Sequence, residues 1–174
     1  ERMAKPLHET LRVAEHIPLD ARTILDVGCA DGVVTKALAA LHPHAAVRGI
    51  DLNEEFIAAA AREEDERRAD FERVYLRDML ARPGRFDAVT FISVLHEFYE
   101  YGEGMSSVIK AVADAYELLE SGGKIIIRDM ILPESAKAAR ADSIIAKIRA
   151  VPAMIPLIAD FEREHGPLDT LYAA

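Results

Sequence analysis

The chain has 174 residues, 51% of them hydrophobic and 29% charged, a balance that suits one globular domain and argues against disorder. Its 30 acidic residues outnumber 21 basic ones for a formal net charge of −9, and no basic stripe offers a surface for covering nucleic-acid phosphates. No run approaches the roughly 18 apolar residues of a membrane span, the opening ERMAKPLHET lacks the sections of a secretory leader, and the lone Cys29 excludes an internal disulfide or a cysteine-based metal cluster. These features fit a cytoplasmic protein with no membrane partner, and an opening on Glu1 suits a trimmed product or a fragment.

Leu7, Leu11, Ala14 and Ile17 recur at helical spacing, and Pro18 ends that helix, so residues 1–20 read as an N-terminal helical cap. Thr23 to Val27 is a buried strand, followed by a helix over Val34, Ala37, Leu38 and Leu41 that Asp31 can cap and Pro43 closes. Ala46 to Ile50 is a second strand ending at Asp51, and Asn53 can cap the helix that carries Phe56, Ile57 and Ala60 inward. Phe71 to Leu76 is expected as a third strand and Phe86 to Ile92 as a fourth, after the turn Arg82-Pro83-Gly84-Arg85.

Met105, Val108, Ile109, Val112, Tyr116 and Leu119 mark a long helix, which Ser121-Gly122-Gly123 is expected to end before a fifth strand at Lys124 to Arg128. The alternation predicts an α/β fold: a parallel sheet covered on both faces, with a core over residues 21–132. Residues 133–174 read as a helical C-terminal segment, helical from Ser135 to Ala150, interrupted by Pro152 and Pro156, with a last turn at Phe161 to His165.

The run ILDVGCADG sets Gly28 and Gly32 where the first strand meets its helix, a place for close ligand approach and unpaired amides. Asp26, Asp31 and Asp51 crowd the same sheet edge, a poor field for two phosphates. At the end of the second strand Asp51 can accept both hydroxyls of a ribose, and Asp26, costly to bury unpaired, is expected to accept backbone donors of the loop.

With these residues the chain resembles the class I S-adenosylmethionine-dependent methyltransferases, over about residues 23 to 130. DVGCADG is similar to their first motif through Asp26, Gly28, Ala30 and Gly32, with Ala30 replacing the commoner middle glycine. The resemblance implies a three-layer Rossmann-like methyltransferase sheet and S-adenosyl-L-methionine as donor, with S-adenosyl-L-homocysteine as product. It assigns Asp51 to the donor ribose, Leu52 to the adenine side, and Asp78 and Met79 in YLRDML to the adenine amine and face. The loop Gly28, Cys29 and Ala30, with Ile92 and Ser93, would hold the methionine portion. Family members finish with a sixth strand and an antiparallel seventh. None is legible after Met130, so the sheet is expected to be incomplete at its C-terminal hairpin, or completed by a second copy or another partner.

Other readings fit less well. A nicotinamide or flavin dinucleotide site lacks the later glycines of GxGxxG, and Lys36 stands outside any GK[ST] phosphate loop. No metal is expected: the histidines are scattered, His42 and His44 read as solvent-facing, and the acid at Asp129 is too little alone.

Beyond the fourth strand, SVLHEFYEYGEG begins where an acceptor can meet the donor, because parallel sheets bind ligands at their carboxyl ends. His96 is the candidate catalytic base or acceptor-orienting group, with a structural histidine as the bland alternative. Glu97, Tyr99 and Tyr101 are the accompanying substrate-binding candidates, although either tyrosine could pack against the N-terminal helix instead. The reading is methyl transfer to a small-molecule acceptor. An RNA or protein acceptor recognised through a partner, and a non-catalytic donor-binding sensor, are the alternatives.

Overall fold

The structure, a computed structural model, describes residues 10–62, 69–130 and 146–167. The chain divides into two compact units, residues 1–130 and 131–174. The first is built on a five-stranded sheet: β1 (Thr23–Val27), β2 (Ala46–Asp51), β3 (Ala69–Arg73), β4 (Phe86–Ile92) and β5 (Leu119–Arg128). All neighbouring pairs are parallel, in the order β3-β2-β1-β4-β5. Central β1 and β4 are near-continuous apolar runs because both their faces are covered.

Helix α1 (Val33–Leu41) and a 3-10 turn at Leu11–His16 pack on one face, burying Val13, Leu38, Ile24, Val47 and Ala88. The other face carries α4 (Met105–Glu117), the start of α3 (Leu95–Glu100) and a 3-10 segment at Leu76–Ala81, over Leu25, Val27, Val89 and Phe91. Leu25 and Phe91 are fully buried, each stabilising the fold by about 1.5–3 kcal/mol relative to exposure. The Phe91 ring also meets Phe98 edge to face at 6.3 Å, which anchors α3 to the end of β4. At the opposite end of the sheet the Asp87 carboxylate accepts from the Arg22 and Thr23 N–H groups at 2.7 and 2.9 Å and from the Thr23 hydroxyl at 3.1 Å. Burial pushes this acid up, but those bonds outweigh it and hold it below the usual carboxylate range.

Asn53 caps α2 (Glu54–Arg62) as expected, accepting from the Glu55 and Phe56 N–H groups at 2.9 and 3.3 Å. Asp31 serves α1 less directly: Gly32 takes the cap position at φ 80°, and the Val33 N–H reaches Asp31 Oδ1 only at 3.4 Å.

Several elements differ from the sequence expectation. In the N-terminal helix, residues 1–9 lie outside the described residues. The part that follows is a tighter 3-10 turn, so Val13 and Ile17 are buried rather than Leu11. The third strand ends at Arg73, not Leu76; the chain then turns at Tyr75, and Leu76 enters the core from the 3-10 segment. The fifth strand begins at Leu119 opposite Phe86, and the register then jumps until Lys124 faces Ala88. Ser121 to Gly123 therefore form an excursion within a strand, with Gly122 at φ 85°, instead of a helix stop. No helix is legible in the sequence just after β4, yet Leu95–Glu100 forms one. His42, expected to face solvent, is 7% exposed at the end of α1; burial pulls its pKa down against a backbone bond at Ala14 that raises it.

In the second unit residues 146–149 are helical, followed by a 3-10 turn at Pro152–Met154 and α5 (Ile155–His165). The expected helix from Ser135 lies otherwise outside the described residues. Pro156 sits in the first turn of α5, where a missing N–H costs nothing, so it starts the helix instead of interrupting it. Gly166 closes it at φ 85°, its N–H reaching Glu162 O at 3.0 Å. Arg149 pairs with Glu162 at 2.6 Å. Among the described residues no sixth or seventh strand is present.

Candidate active site

The carboxyl ends of β1 and β2 are tied together by the glycine loop. Gly28 and Cys29 both donate to Ile50 O, at 2.8 and 3.0 Å. Gly28 sits at φ 71°, and a Cβ there would meet Val94 Cγ2 at 2.2 Å, so side-chain absence is a spatial as well as a conformational need. Ala30 is held at φ 47° without being a glycine, a left-handed conformation costing roughly 1–2 kcal/mol for an alanine. Its N–H donates to Asp51 Oδ2 at 2.9 Å, which helps to hold it there.

The two strand acids differ from expectation. Asp26, 2% exposed, accepts no backbone donor of the loop; the Thr35 hydroxyl of α1 donates to Oδ2 at 2.6 Å and the Thr90 hydroxyl of β4 to Oδ1 at 2.8 Å. Burial pushes its pKa up to about 6, against the two hydroxyls that lower it and with the nearby Asp51 charge raising it further. Asp51 is the acid that shapes the loop: one oxygen holds the Ala30 N–H and the other the Asn53 N–H at 2.9 Å. Each oxygen keeps acceptor capacity for a ligand.

Over this loop lies a cavity of about 340 Å3 between the ends of β1 and β2, residues Val74 to Leu76, and α3. Gly28, Asp51, Leu52, Glu97 and Tyr101 line it, as do Tyr75, Val94 and Phe98, which no motif singles out. Val74 to Leu76 carry the pattern of a strand, and Phe98 offers only its aromatic character. The charged lining residues are two acids, Asp51 and Glu97, with no base among the described residues. Lys36 instead stands over the Phe71 ring, 5.6 Å from its centroid.

The other candidates lie off the lining. Cys29 is buried against the position of Gly49, and burial together with Asp26 and Asp51 pushes its thiol well above the usual range. Gly32 packs close to Phe71 and Ala60. Met79 is a core residue at 2% exposure, while Asp78 is exposed on the 3-10 segment. Ile92 ends β4 and packs, partly buried, against the core cluster that includes Ile24, Ala88 and Ile126. Ser93 follows at φ 56°, its N–H bound to Arg128 O at 2.7 Å. Tyr99 is 52% exposed beside Gly104.

His96 lies next to the lining residue Glu97 in the first turn of α3, and the residue facing it is Asp129, just after β5. Nδ1 is 2.8 Å from Asp129 Oδ1, which also accepts the Met130 N–H at 2.7 Å; Oδ2 accepts the Leu95 and His96 N–H groups at 2.6 and 3.2 Å. Burial pushes Asp129 up, but the His96 bond and the three backbone bonds outweigh it and hold the carboxyl below its ordinary value. Asp129 went unrecognised as a partner because the two residues lie far apart in the chain.

A family model described as a methyltransferase domain matches residues 25–125. The chain belongs to the class I S-adenosylmethionine-dependent methyltransferases. A ubiquinone biosynthesis O-methyltransferase from Thiobacillus denitrificans is 37% identical over 127 residues, 68% of this chain and 51% of that protein. Its namesake from Azotobacter vinelandii is 36% identical over 70% of this methyltransferase chain and 52% of its own length. An amino pentose methyltransferase from Micromonospora echinaspora, solved with S-adenosylmethionine bound, is similar with a TM-score of 0.60 at 25% identity, covering 73% of this chain and 52% of that one. The chain thus spans about half the length of these relatives. The Rossmann-like architecture expected of the family is the one observed. No helix among the described residues is long and apolar enough to cross a membrane.

Proposed function

We propose that this chain binds S-adenosylmethionine in the cavity over the glycine loop and transfers its methyl group to a small-molecule hydroxyl. The observation that carries the reading is the cavity's charge: two acids and no base among its described lining residues suit a cationic sulfonium ligand and oppose a dinucleotide pyrophosphate. The residues fit such a donor. Gly28 admits close approach, Asp51 has acceptor capacity for ribose hydroxyls, and Leu52 and Tyr75 offer an apolar wall for a base. Asp26 supports the site from behind, tying β1 to α1 and β4 beneath the loop.

When bound, the donor supplies a methyl group already activated by its positive sulfur. The chain's task is then alignment and exclusion of water. Glu97, Phe98 and Tyr101 form the α3 side of the cavity, whereas His96 stands off that lining with its ring against Asp129. A small molecule is favoured over a nucleic acid by the net charge of −9. A hydroxyl is favoured by the O-methyltransferase relatives, which are closer in sequence than the amino-sugar enzyme. The same reading has the outer edge of β5 completed by further strands or a second chain, supported by its last place in the sheet and by exposed Ile127 and Met130.

Calorimetry with S-adenosylhomocysteine and NAD tests the donor assignment, with tighter binding of the former expected. Equal or tighter binding of NAD would overturn it.

A further inference from the structure

We propose that the amino end of the sheet carries a second ligand site, a pocket among Arg48, Arg82 and Arg85 that takes a small organic anion: a carboxylate or phosphate head on an apolar body. The proposal stands apart from the methyl-transfer reading, because the donor cavity lies at the other end of the same strands. A cavity of about 190 Å3 opens where β1, β2 and β4 begin, lined by Thr23, Ala46 and Phe86 of those strand starts and by the turn from Arg82 to Arg85. Arg48 and Asp70, partners in the β2–β3 register, form its side next to β3. The two ends of the sheet thus differ in chemistry: the acids Asp51 and Glu97 line one cavity, three guanidiniums the other.

The surroundings do not cancel this positive charge. Asp70 is the one acid among the described lining residues. Glu72, two residues further along β3, holds Arg82 through both of its oxygens, at 2.5 and 2.7 Å. Even with Glu72 counted, one positive charge is left over, in a chain whose formal net charge is −9. Asp87, at the same end of the sheet, is engaged by the Arg22 and Thr23 N–H groups and offset by the Arg22 charge. A guanidinium has five N–H donors, so Glu72 fixes Arg82 in place and leaves three of them for a ligand. Among the described residues Arg85 meets only the neighbouring Gly84 O, at a long 3.3 Å. The turn that carries both arginines is anchored at either end, by Arg82 N–H to Met79 O at 3.1 Å and Phe86 N–H to Leu118 O at 2.8 Å.

Volume and walls narrow the ligand. At about 190 Å3 the cavity falls below the roughly 300–1,000 Å3 of drug-sized sites, so it suits a molecule of about one ring and not a nucleotide. Val47, Met79, Pro83 and Phe86 supply apolar wall for such a body. The planar guanidiniums pair with carboxylate or phosphate oxygens two at a time. A bare inorganic ion would leave the apolar walls uncovered, and a neutral ring would leave the guanidiniums without an acceptor. An anionic head on a small apolar body serves both.

Calorimetry on the native chain at fixed ionic strength tests this with benzoate and phenyl phosphate, beside benzyl alcohol and inorganic phosphate as body and head alone. Benzoate or phenyl phosphate should bind saturably at one site with a dissociation constant on the order of 1 mM, and the tighter of the two names the head. Benzyl alcohol and inorganic phosphate should each bind about 10-fold more weakly or less. Arg85→Gln and Arg48→Gln should each weaken the binding about 10-fold. Arg12→Gln, which removes a guanidinium 72% exposed elsewhere on the chain, should leave it within about twofold. Saturating S-adenosylhomocysteine should not displace the anion. The site would be overturned by an absence of saturable binding of both probes up to about 10 mM, or by inorganic phosphate binding as tightly as they do. Native affinity in both arginine variants, or displacement by S-adenosylhomocysteine, would overturn it equally.

Discussion

Asp26→Asn tests whether the acid inside β1 is a buried charge held by two hydroxyls. The native carboxyl is pushed from 3.8 to about 6, chiefly by burial, with the Thr35 and Thr90 hydroxyls working against that rise. The gap between those values corresponds to about 3 kcal/mol of folding free energy that depends on pH. Its sign follows from the direction. Between pH 4 and 6 the folded chain holds a proton that the unfolded chain has lost, so this contribution is fully present below about pH 4. It is lost as pH rises through 6. Other carboxyls, among them Asp87 and Asp129, are held low and lose stabilisation on acidification instead. Only the difference between native chain and variant isolates Asp26.

Asparagine retains the shape, and because a threonine hydroxyl can accept as well as donate, it can pair with both Thr35 and Thr90. Urea unfolding of both chains at pH values from 4 to 8 should therefore show their stability gap shifting by about 3 kcal/mol in favour of the native chain on acidification. A gap constant to about 0.5 kcal/mol across that range would refute the buried-charge account. Donor affinity should change little, since Asp26 lies behind the loop and not on the cavity wall.

Three further outcomes follow from the loop. Asp51→Asn should weaken S-adenosylhomocysteine binding about 10–100-fold by calorimetry, from loss of charge-assisted acceptance worth roughly 1.5–3 kcal/mol, and unchanged affinity would remove Asp51 from the site. Gly28→Ala should destabilise the chain by at least about 1–3 kcal/mol in thermal unfolding, because its Cβ would stand 2.2 Å from Val94 Cγ2 at φ 71°; a native melting temperature would show that the loop relaxes freely. Cys29 should resist an aromatic disulfide reagent at pH 8 until urea unfolds the chain, since burial and the neighbouring acids keep the thiol protonated. Rapid labelling of the folded chain would contradict that placement.

Element existence was legible wherever periodicity was long or sharply punctuated. The strands at Thr23–Val27 and Phe86–Ile92 fall where the apolar runs and turn residues put them. The elements that moved are those in which apolar residues serve something other than the ladder. Val74 and Leu76 look like strand continuation, yet Val74 lines the cavity and Leu76 both lines it and enters the core from a tighter turn. Leu119 looks like the last apolar position of a helix, yet it pairs with Phe86 across a register jump that no local pattern announces. His42 stands beside a proline in a connection, and only the packing at the end of α1 buries it.

The acids show why the site was only partly legible. Sequence places Asp26 and Asp51 at successive strand ends and gives both a ligand-binding look. Strand pairing separates them: Asp26 sits opposite Gly49 and Thr90, one residue before the end of β1, and alternation turns it to the α1 face with Ile24. Asp51 is the last residue of β2, so its carboxylate emerges beyond the ladder, where loop N–H groups and a ligand can both reach it. Gly49 matters to this difference, because a Cβ there would stand 2.8 Å from that of Cys29 and displace the loop. One position along a strand thus decides whether an aspartate is a buried tie or a ligand acceptor. Composition and motif matching read both as the same residue; pairing register does not.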